Sequence, residues 1–189
     1  MSLIIGMKEG NKIVLGCDTQ LTQKDIKRDY SYEETTKCHI LKKYGLVILS
    51  AGSVKTGDFF KFSEDIFKDF PKEGLTKNYI VRNIIPAFRE IAKEHNLLDD
   101  DGDMNLTVIL ACKDKIFVID DNFMVYRVNT YYASGVGWAI PDFYYREKNM
   151  SAKDKILASL RYVSKNYYGV SGPFIIMDTE SLETEIVEA

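Results

Sequence analysis

The order of apolar segments predicts an α+β protein in which two antiparallel sheets pack between two layers of helices. Two observations support this prediction. Short apolar runs with strand character alternate, in blocks, with longer segments of helical periodicity, and the strands within a block are joined by tight polar turns typical of antiparallel hairpins. The 189 residues most simply form one domain, residues 1–189, which is long enough to bury a substantial core.

Strand-like segments make up the first part of the chain. Residues 3–7 and 12–17 are apolar and flank a short polar turn, which predicts a β-hairpin at the N-terminus. The segment 20–36 is polar and is typical of a loop or an irregular hairpin. Strand character resumes at residues 37–41 and 45–51, so antiparallel strands precede the first helix.

Two helices are expected to follow and to form one layer on a sheet. Ser53 is a suitable N-cap for the first, whose apolar stripe ends before Pro71. The second spans residues 76–95, and Pro86 should kink or interrupt it. The stripe of the first helix consists of Phe59, Phe62, Ile66, Phe67 and Phe70.

The second half of the chain repeats this order of strands and then helices. Residues 133–137 interrupt the pattern, a short helix is expected at 138–147, and a longer helix at 151–166 has Ser151 at its N-cap. A final strand at 173–177 precedes a polar tail. Three apolar runs joined by tight turns predict an antiparallel meander before these elements, at 106–112, 115–120 and 123–128.

Composition excludes several classes of function. The net charge of -3 at pH 7 gives no electrostatic attraction for nucleic acid as the principal partner. No apolar run approaches the roughly 18 residues needed to cross a bilayer, and polar residues interrupt the N-terminal stretch too early for a secretory signal. We therefore expect a cytoplasmic protein that neither spans nor binds a membrane. The acidic segment 98–104 lacks the pattern of a calcium-binding loop.

The sequence also does not support a Cys–His catalytic dyad or a metal site. The three cysteines adjoin strand-like segments and are expected to be small buried hydrophobic residues in a reducing compartment. Cys38 and His39 are neighbours on one strand, so their side chains point to opposite faces and cannot form a dyad. Neither histidine has ligand partners at metal-binding spacing, so no metal and no cofactor is predicted.

The strongest candidate for chemistry is the start of the chain. Removal of Met1 would leave Ser2 as the N-terminal residue, with a hydroxyl and a free α-amine on the same residue. Such a residue is a nucleophile with its own base. Met-Ser is also a common way for a protein to begin, so the two residues alone do not decide between these interpretations.

Asp18 and Lys37 are charged residues at the ends of predicted strands, and the short hairpin turn places Asp18 near Ser2. Asp18 ends the second strand of the hairpin, and Lys37 opens the next apolar run. A lysine beside a serine nucleophile lowers the pKa of nearby groups and stabilises developing negative charge, and an aspartate holds that lysine in place. Each also has an ordinary structural role, as a turn residue and as a solvated charge at a sheet edge.

Two strand-to-helix junctions offer main-chain donors. The sequence Ala51-Gly52-Ser53 joins a strand to a helix, where backbone N–H groups can bind an oxyanion. Ser134 lies at a second junction of this kind. In both places a glycine needed only for a tight turn is the alternative explanation.

Taken together, these segments resemble the β-type subunits of the proteasome and the related peptidase subunit of the bacterial ATP-dependent two-component protease. Chains of this family begin with the nucleophile and a strand ending in glycine, as Ser2 and Gly6 do here. The family's active-site aspartate ends the second strand, at the position of Asp18. Its active-site lysine precedes an apolar strand that leads into an Ala-Gly turn, as Lys37 and Gly52 do.

Two further serines extend the resemblance into the second half of the chain. Ser134 lies in a turn similar to the family's Gly-Ser-Gly turn, and Ser171 matches its Ser-Gly pair near the last core strand. The similarity therefore runs in order from residue 2 to residue 178. It implies the N-terminal-nucleophile hydrolase fold, a four-layer αββα sandwich.

The resemblance implies a threonine/serine-type endopeptidase without a cofactor. Ser2 would attack a peptide carbonyl with its α-amine as base, Lys37 supported by Asp18 would tune the site, the Gly52 amide would bind the oxyanion, and Ser134 would assist near the amine. Water would then hydrolyse the acyl-serine. The implied partners are a peptide or unfolded protein substrate, further copies in a homo-oligomeric ring, and an ATP-dependent unfoldase.

The chain departs from the family pattern in four ways. The nucleophile is Ser2 rather than threonine, so the methyl group that restricts χ1 is missing. The segment between Asp18 and Lys37 is longer than usual, and Tyr168 replaces an aspartate that supports the terminal amine. Retention of Met1 would block the amine altogether.

Two alternatives to an active peptidase therefore remain open. The first is a catalytically inactive, proteasome-like ring or scaffold subunit that keeps Met1. The second is an N-terminal-nucleophile amidase or acyl transferase acting on a small substrate.

Overall fold

The structure is a computed structural model that describes residues 1–23, 26–28 and 37–189. Within these residues, blocks of strands alternate with blocks of helices. In chain order the elements are β1 (Leu3–Glu9), β2 (Lys12–Asp18), β3 (Leu21–Gln23), β4 (Ile26–Arg28), β5 (Cys38–Leu41), β6 (Leu46–Gly52), α1 (Val54–Phe62), α2 (Lys77–Tyr79), which continues through a π-helical segment (Ile80–Ile84) into α3 (Ile85–Glu94), β7 (Leu106–Cys112), β8 (Lys115–Ile119), β9 (Val125–Val128), β10 (Tyr131–Gly135), α4 (Ile140–Tyr145), α5 (Ala152–Asn166), β11 (Phe174–Asp178) and β12 (Thr184–Val187).

The strands form two antiparallel five-stranded sheets. The first sheet has the order β10-β1-β2-β11-β12, and the second has the order β5-β6-β7-β8-β9. Strands β3 and β4 pair with each other in a separate two-stranded ribbon, which agrees with the irregular hairpin expected after β2. The rest of that predicted segment, residues 24–25 and 29–36, lies outside the described residues.

Side-chain alternation along the central strands produces a core on each side of each sheet. On β1, Leu3 and Ile5 pack into a cluster with residues of α5, whereas Ile4 packs into a cluster shared by the two sheets. On β6, Val47 and Leu49 join that same inner cluster. The sheets therefore lie face to face.

Helices cover the outer face of each sheet. Phe60 of α1 and Phe88 of α3 are fully buried with the outward residues of the second sheet, and their ring centroids are 4.9 Å apart. Ile156 and Leu160 of α5 are fully buried against the first sheet. The arrangement is a four-layer αββα sandwich, so the predicted fold class is confirmed.

The first predicted helix differs from the expectation in length and in its buried face. Helix α1 ends at Phe62, and a short 3₁₀ turn, Glu64–Phe67, replaces its second half. Phe62 is 59% exposed whereas Phe60 is buried, so the predicted stripe was wrong at this point. A run of neighbouring aromatic residues gives periodicity too little contrast to identify the buried face.

Two strands were missed because they lie at sheet edges. Strand β10 was interpreted as an interruption and β12 as a polar tail, yet they are the two outer strands of the first sheet. Edge strands expose one side and include polar residues, so they lack the apolar signature of the central strands. Pro86 lies in the first turn of α3, just after the π-helical segment Ile80–Ile84, so the expected interruption is a change in helical hydrogen bonding within a continuous helix.

Gly16 allows α5 to approach the first sheet closely. A Cβ atom at this position would lie 2.4 Å from Cγ2 of Ile156 and 2.9 Å from Cδ1 of Ile176. We expect Gly16→Ala to lower the free energy of unfolding by about 1–3 kcal/mol through overpacking, measured by denaturant titration.

A double variant separates this contact from a general effect of the substitution. In an Ile156→Ala background the closer of the two clashing methyls is absent while Cδ1 of Ile176 remains, so Gly16→Ala should cost less there than in the natural chain. Additive costs in the double variant would contradict the proposed contact.

Candidate active site

The β1–β2 hairpin holds Asp18 beside the start of the chain. The register pairs Ile4 with Cys17, so Asp18 lies next to Leu3, whose backbone N–H donates to Asp18 Oδ1 at 2.8 Å. The backbone N–H of Gln20 donates to Oδ2 at 3.2 Å. Because Asp18 is fully buried, these main-chain donors rather than water orient its carboxylate.

Lys37 completes an ion pair that joins the two sheets. Its Nζ atom is 2.6 Å from Asp18 Oδ2, and only 6% of its side chain is exposed. The Lys37 carbonyl accepts a hydrogen bond from Ser50 N at 2.8 Å, which ties the residue to β6. Asp18 belongs to the first sheet and Lys37 immediately precedes β5 of the second, so the ion pair lies across the interface between the sheets.

The carboxylate experiences opposing influences on its pKa. Burial raises the pKa of the Asp18 carboxyl above its ordinary value, because the ionised form has left water. The Lys37 ammonium and the backbone N–H groups of Leu3 and Gln20 act in the opposite direction, since they stabilise the ionised form. The structure places these partners where a buried carboxylate needs them.

The cation also acts on the N-terminal amine. Lys37 Nζ donates to the carbonyl oxygen of Met1 at 3.5 Å. The pKa of the Met1 α-amine is lowered, first by burial and then by the charge of Lys37, while Asp18 raises it. A lowered pKa favours the neutral form of the Met1 amine, the form that can accept a proton.

Main-chain contacts hold Ser2 from the side opposite Asp18. Ser2 is buried, and its carbonyl oxygen accepts a hydrogen bond from Val136 N at 2.7 Å. Gly135 has a φ of +106°, and a Cβ atom there would lie 1.9 Å from the Ser2 oxygen. A glycine is thus required at 135 for β10 to run this close to Ser2.

Ser2, Lys37 and Gly52 line one small cleft with a volume of about 20 Å³, space for about one water molecule. Gly52 ends β6 with a φ of +133°, and a Cβ atom there would lie 2.3 Å from the Asn105 oxygen. Ser53 caps α1 by accepting a hydrogen bond from Thr56 N at 3.3 Å, as predicted. The other residues that line the cleft are Leu21, Ser50, Ser53, Val54, Lys61 and Leu106.

Lys61 is a residue of this cleft that the sequence analysis missed. Its side chain is only 4% exposed, and Nζ is 3.0 Å from Asp58 Oδ1. The sequence feature that could have identified Lys61 is its position as a single lysine within an aromatic run, between Phe60 and Phe62. A buried lysine needs a counter-charge, so this pattern indicated either a site or a buried ion pair.

Ser134 and Ser171 lie near the site without bonding to the nucleophile. Ser134 pairs with Ile4 in the β1–β10 ladder, and the carbonyl of Ser171 accepts a hydrogen bond from Thr19 N at 3.3 Å. Among the described residues, no hydrogen bond joins either hydroxyl to Ser2. Their proposed assistance to the amine therefore rests on the family resemblance.

The cysteines are free and buried, as expected. A hydrogen bond with Cys38 and, second, burial raise the pKa of the Cys17 thiol well above its usual range, which disfavours a thiolate nucleophile. The part of the chain that the structure describes contains no group of three or more side chains suited to holding a metal ion. No helix in that part is long and apolar enough to span a bilayer.

Substitutions can measure how strongly the buried ion pair is coupled. Asp18→Asn and Lys37→Met each leave an uncompensated buried charge and should each cost about 3–5 kcal/mol of unfolding free energy. In the double variant both charges are gone while Asn can still accept from Leu3 N, so its cost should fall well below the sum. Denaturant unfolding at neutral pH measures all three.

An exposed pair on the same protein is the matched control. Lys153 Nζ is 2.7 Å from Glu185 Oε2, with side chains 41% and 55% exposed. Removing one partner should cost only about 0–1 kcal/mol. If removing one partner lowers the unfolding free energy equally at the two pairs, the Asp18–Lys37 pair is no more strongly coupled than an exposed ion pair.

Comparison with known proteins reveals similarity in structure. No protein-family model and no curated protein sequence matches the chain. Among solved structures, *Thiobacillus denitrificans* BPH in complex with Epoxomicin has a TM-score of 0.72 at 16% identity, covering 93% of this chain and 97% of its own. Anbu (ancestral beta-subunit) from *Yersinia bercovieri* has a TM-score of 0.75 at 13% identity, covering 98% and 87%. The eukaryotic HslV from *Trypanosoma brucei* has a TM-score of 0.65 at 17% identity, covering 93% and 98%.

These similarities extend over nearly the whole chain and include both sheets and the helical layers. At such low identity they establish the fold and not the activity. The chain has the proteasome β-type fold of the N-terminal-nucleophile hydrolases.

Proposed function

We propose that this chain is a proteasome-like peptidase that hydrolyses peptide bonds with Ser2, once removal of Met1 has exposed its α-amine. The observation that supports this most directly is the buried Asp18–Lys37 pair, 2.6 Å between charged atoms, next to a main-chain-anchored Ser2. Burying the Lys37 ammonium carries a desolvation penalty that only a well-placed partner such as Asp18 offsets. The same ammonium contacts the carbonyl of Met1, next to Ser2.

The proposed reaction begins at the hydroxyl of Ser2. Oγ attacks the carbonyl carbon of the substrate while the α-amine of the same residue accepts the hydroxyl proton, directly or through a water molecule. The resulting oxyanion is stabilised by the N–H of Gly52, and the positive charge of Lys37 favours both the neutral amine and the developing negative charge.

Collapse of this intermediate breaks the peptide C–N bond. The proton held by the α-amine passes to the leaving amine, and an ester between Ser2 Oγ and the acyl group remains. Water then attacks the ester and restores Ser2. We assign Asp18 the role of a positioning residue, since it acts through Lys37, and we assign Ser134 and Ser171 to the surroundings of the amine.

The proposal extends to the biological setting. A proteasome-like peptidase would act on peptides or unfolded proteins in the cytoplasm, as a homo-oligomeric ring with an ATP-dependent unfoldase as a candidate partner. Support comes from the fold shared with the neighbouring structures, one of which is named an ancestral beta-subunit.

The inactive alternative depends on retention of Met1. While Met1 is in place, its carbonyl accepts the hydrogen bond from Lys37 Nζ at 3.5 Å, and Ser2 has no free amine. A chain that kept Met1 would retain the fold and the ion pair while acting as a ring or scaffold subunit.

Labelling with an electrophile tests the nucleophile. Intact mass of untagged protein should show loss of Met1 and addition of one equivalent of a peptide electrophile, which peptide mapping should place on Ser2. Epoxomicin, bound by the similar *T. denitrificans* BPH, is a suitable second probe. Ser2→Ala should abolish both labelling and hydrolysis of small peptide amides while leaving the unfolding midpoint nearly unchanged.

Ser164→Ala is the matched control, because Ser164 lies on α5 and its hydroxyl donates to the Arg161 carbonyl of its own helix. It should label and turn over like the natural chain. Retained Met1 together with unlabelled Ser2 would support the scaffold alternative instead.

The dependence on pH tests the assignment of the base. The active form has a neutral α-amine, so kcat/KM should rise as pH rises through the pKa of that amine. Burial and Lys37 lower the pKa of the Met1 amine. We infer that the same two effects act on the neighbouring Ser2 amine once Met1 is removed, so the limb should lie below the ordinary range of about 7.7–8.0. Lys37→Met should move the limb toward higher pH as well as lower kcat. A limb that does not respond to Lys37 would argue against the amine as base.

A further inference from the structure

Lys61 places a second buried ammonium group at the cleft beside Ser2. It lines the cleft together with Ser2 and Gly52, and its Nζ atom is 3.0 Å from Oδ1 of Asp58, one helical turn earlier on α1. The Asp58 side chain is 40% exposed and is not part of the cleft lining. The cleft therefore meets the positive member of this pair, while the carboxylate reaches the surface.

The charges around the cleft favour an anion inside it. The described residues of the lining include two ammonium groups, those of Lys37 and Lys61, and no carboxylate. Their counter-charges, Asp18 and Asp58, both lie outside that lining. A small space bounded by cations and shielded from bulk water attracts a negative group and repels a further positive one.

The proposed reaction determines which part of a substrate reaches this space. The first acyl-side residue is bonded to the carbon that Ser2 attacks, and the oxygen on that carbon is the one assigned to the Gly52 N–H. That residue stays attached to Ser2 in the acyl-enzyme, whereas the leaving side must open to the water that hydrolyses the ester. A side chain on the acyl side therefore needs a space bounded by Ser2 and Gly52, and the cleft is such a space.

The size of the cleft restricts what can enter. Its volume of about 20 Å³ is space for about one water molecule, so the entering group must be compact. The side chain of aspartate is a carboxylate on a single methylene group. The ammonium of Lys61 lies on a flexible stem with three donors, so it can turn toward a carboxylate that takes the place of that water.

We propose that the cleft is the subsite for the first acyl-side residue of the substrate, that it selects aspartate there, and that Lys61 is the specificity-determining residue. This inference rests on the proposed function. The Lys61 ammonium donates to the substrate carboxylate, either alongside Asp58 or in its place. Asp58 tolerates the exchange because its partly exposed side chain can be hydrated instead.

Two peptide amides test this preference. They carry aspartate or asparagine as the first acyl-side residue, which match in shape and differ in charge, since an aspartate carboxyl is ionised at neutral pH. With the mature protein, kcat/KM should be about tenfold or more higher for the aspartate peptide, the gain that a charge-assisted hydrogen bond provides. A third peptide with lysine at this position should be the poorest substrate.

Substitutions on α1 should move this preference in opposite directions. Lys61→Met keeps an unbranched stem and removes the charge, so the ratio of kcat/KM for aspartate over asparagine should fall to about one. Asp58→Asn removes the competing carboxylate, so the ratio should rise. Each ratio compares two substrates on one variant, so a general loss of activity cancels.

Lys68→Met is the control for removal of a lysine paired in the same way. Lys68 Nζ is 3.1 Å from Asp65 Oδ1, also three residues earlier, but its side chain is 71% exposed and does not line the cleft. This variant should keep the ratio of the natural chain. If Lys61→Met does not fold, the ratios of the natural chain and of Asp58→Asn decide.

Two results would overturn this inference and leave the proposed function intact. One is equal hydrolysis of the aspartate and asparagine peptides by the natural chain, and the other is a preference for aspartate that survives Lys61→Met. If no peptide is hydrolysed and an electrophile does not label Ser2, the proposed function fails together with this inference.

Discussion

The ion pair between Asp18 and Lys37 is the interaction on which the site depends. It is buried, it spans the two sheets, and its carboxylate is already committed to two backbone N–H groups. Such a pair tolerates little displacement, since a charge left without its partner in a low-dielectric interior is strongly destabilising. The relative position of the sheets is therefore linked to the electrostatics at residue 2.

Residues without side chains shape the rest of the site. Gly52, Gly135 and Gly169 all have positive φ, and each allows a close approach that a Cβ atom would prevent: to the Asn105 carbonyl, to the Ser2 carbonyl and to the Met1 side chain. Main chain thus makes close approaches around the site, while the cleft itself is lined by Gly52 and by polar side chains that include Ser2, Lys37 and Lys61. Main-chain donors are fixed by the strands and cost no side-chain entropy to position.

The sequence was informative wherever strands are buried on both faces. The hairpin ending in Asp18, the meander of β7, β8 and β9, and α5 with its Ser151 cap were predicted closely, because apolar periodicity and turn residues agree there. Edge strands β10 and β12 and the buried face of α1 were not, since exposure on one side or an unbroken aromatic run removes the contrast on which periodicity relies.

The residues of the candidate site also differ in how far the sequence could predict them. Ser2 and Asp18 could be placed together because a hairpin brings the ends of its two strands close, whereas Lys37, which precedes a strand of the other sheet, was added by the family resemblance. The aromatic run around Lys61 indicated burial, but its position in the cleft depends on how α1 docks on the second sheet, which is a tertiary contact.

The hydrogen bond from Val136 N to the carbonyl of Ser2, together with the bond from Leu3 N to Asp18, holds the peptide group that links Ser2 to Leu3 at both its oxygen and its nitrogen. Neither contact involves the side chain of residue 2, so the anchoring is indifferent to what that residue bears on its Cβ. Oxygen could be exchanged for sulfur, or a methyl group added, without loosening the attachment. The fold thereby separates the holding of a nucleophile from its chemical identity, and the element that reacts is free to vary while the framework stays constant.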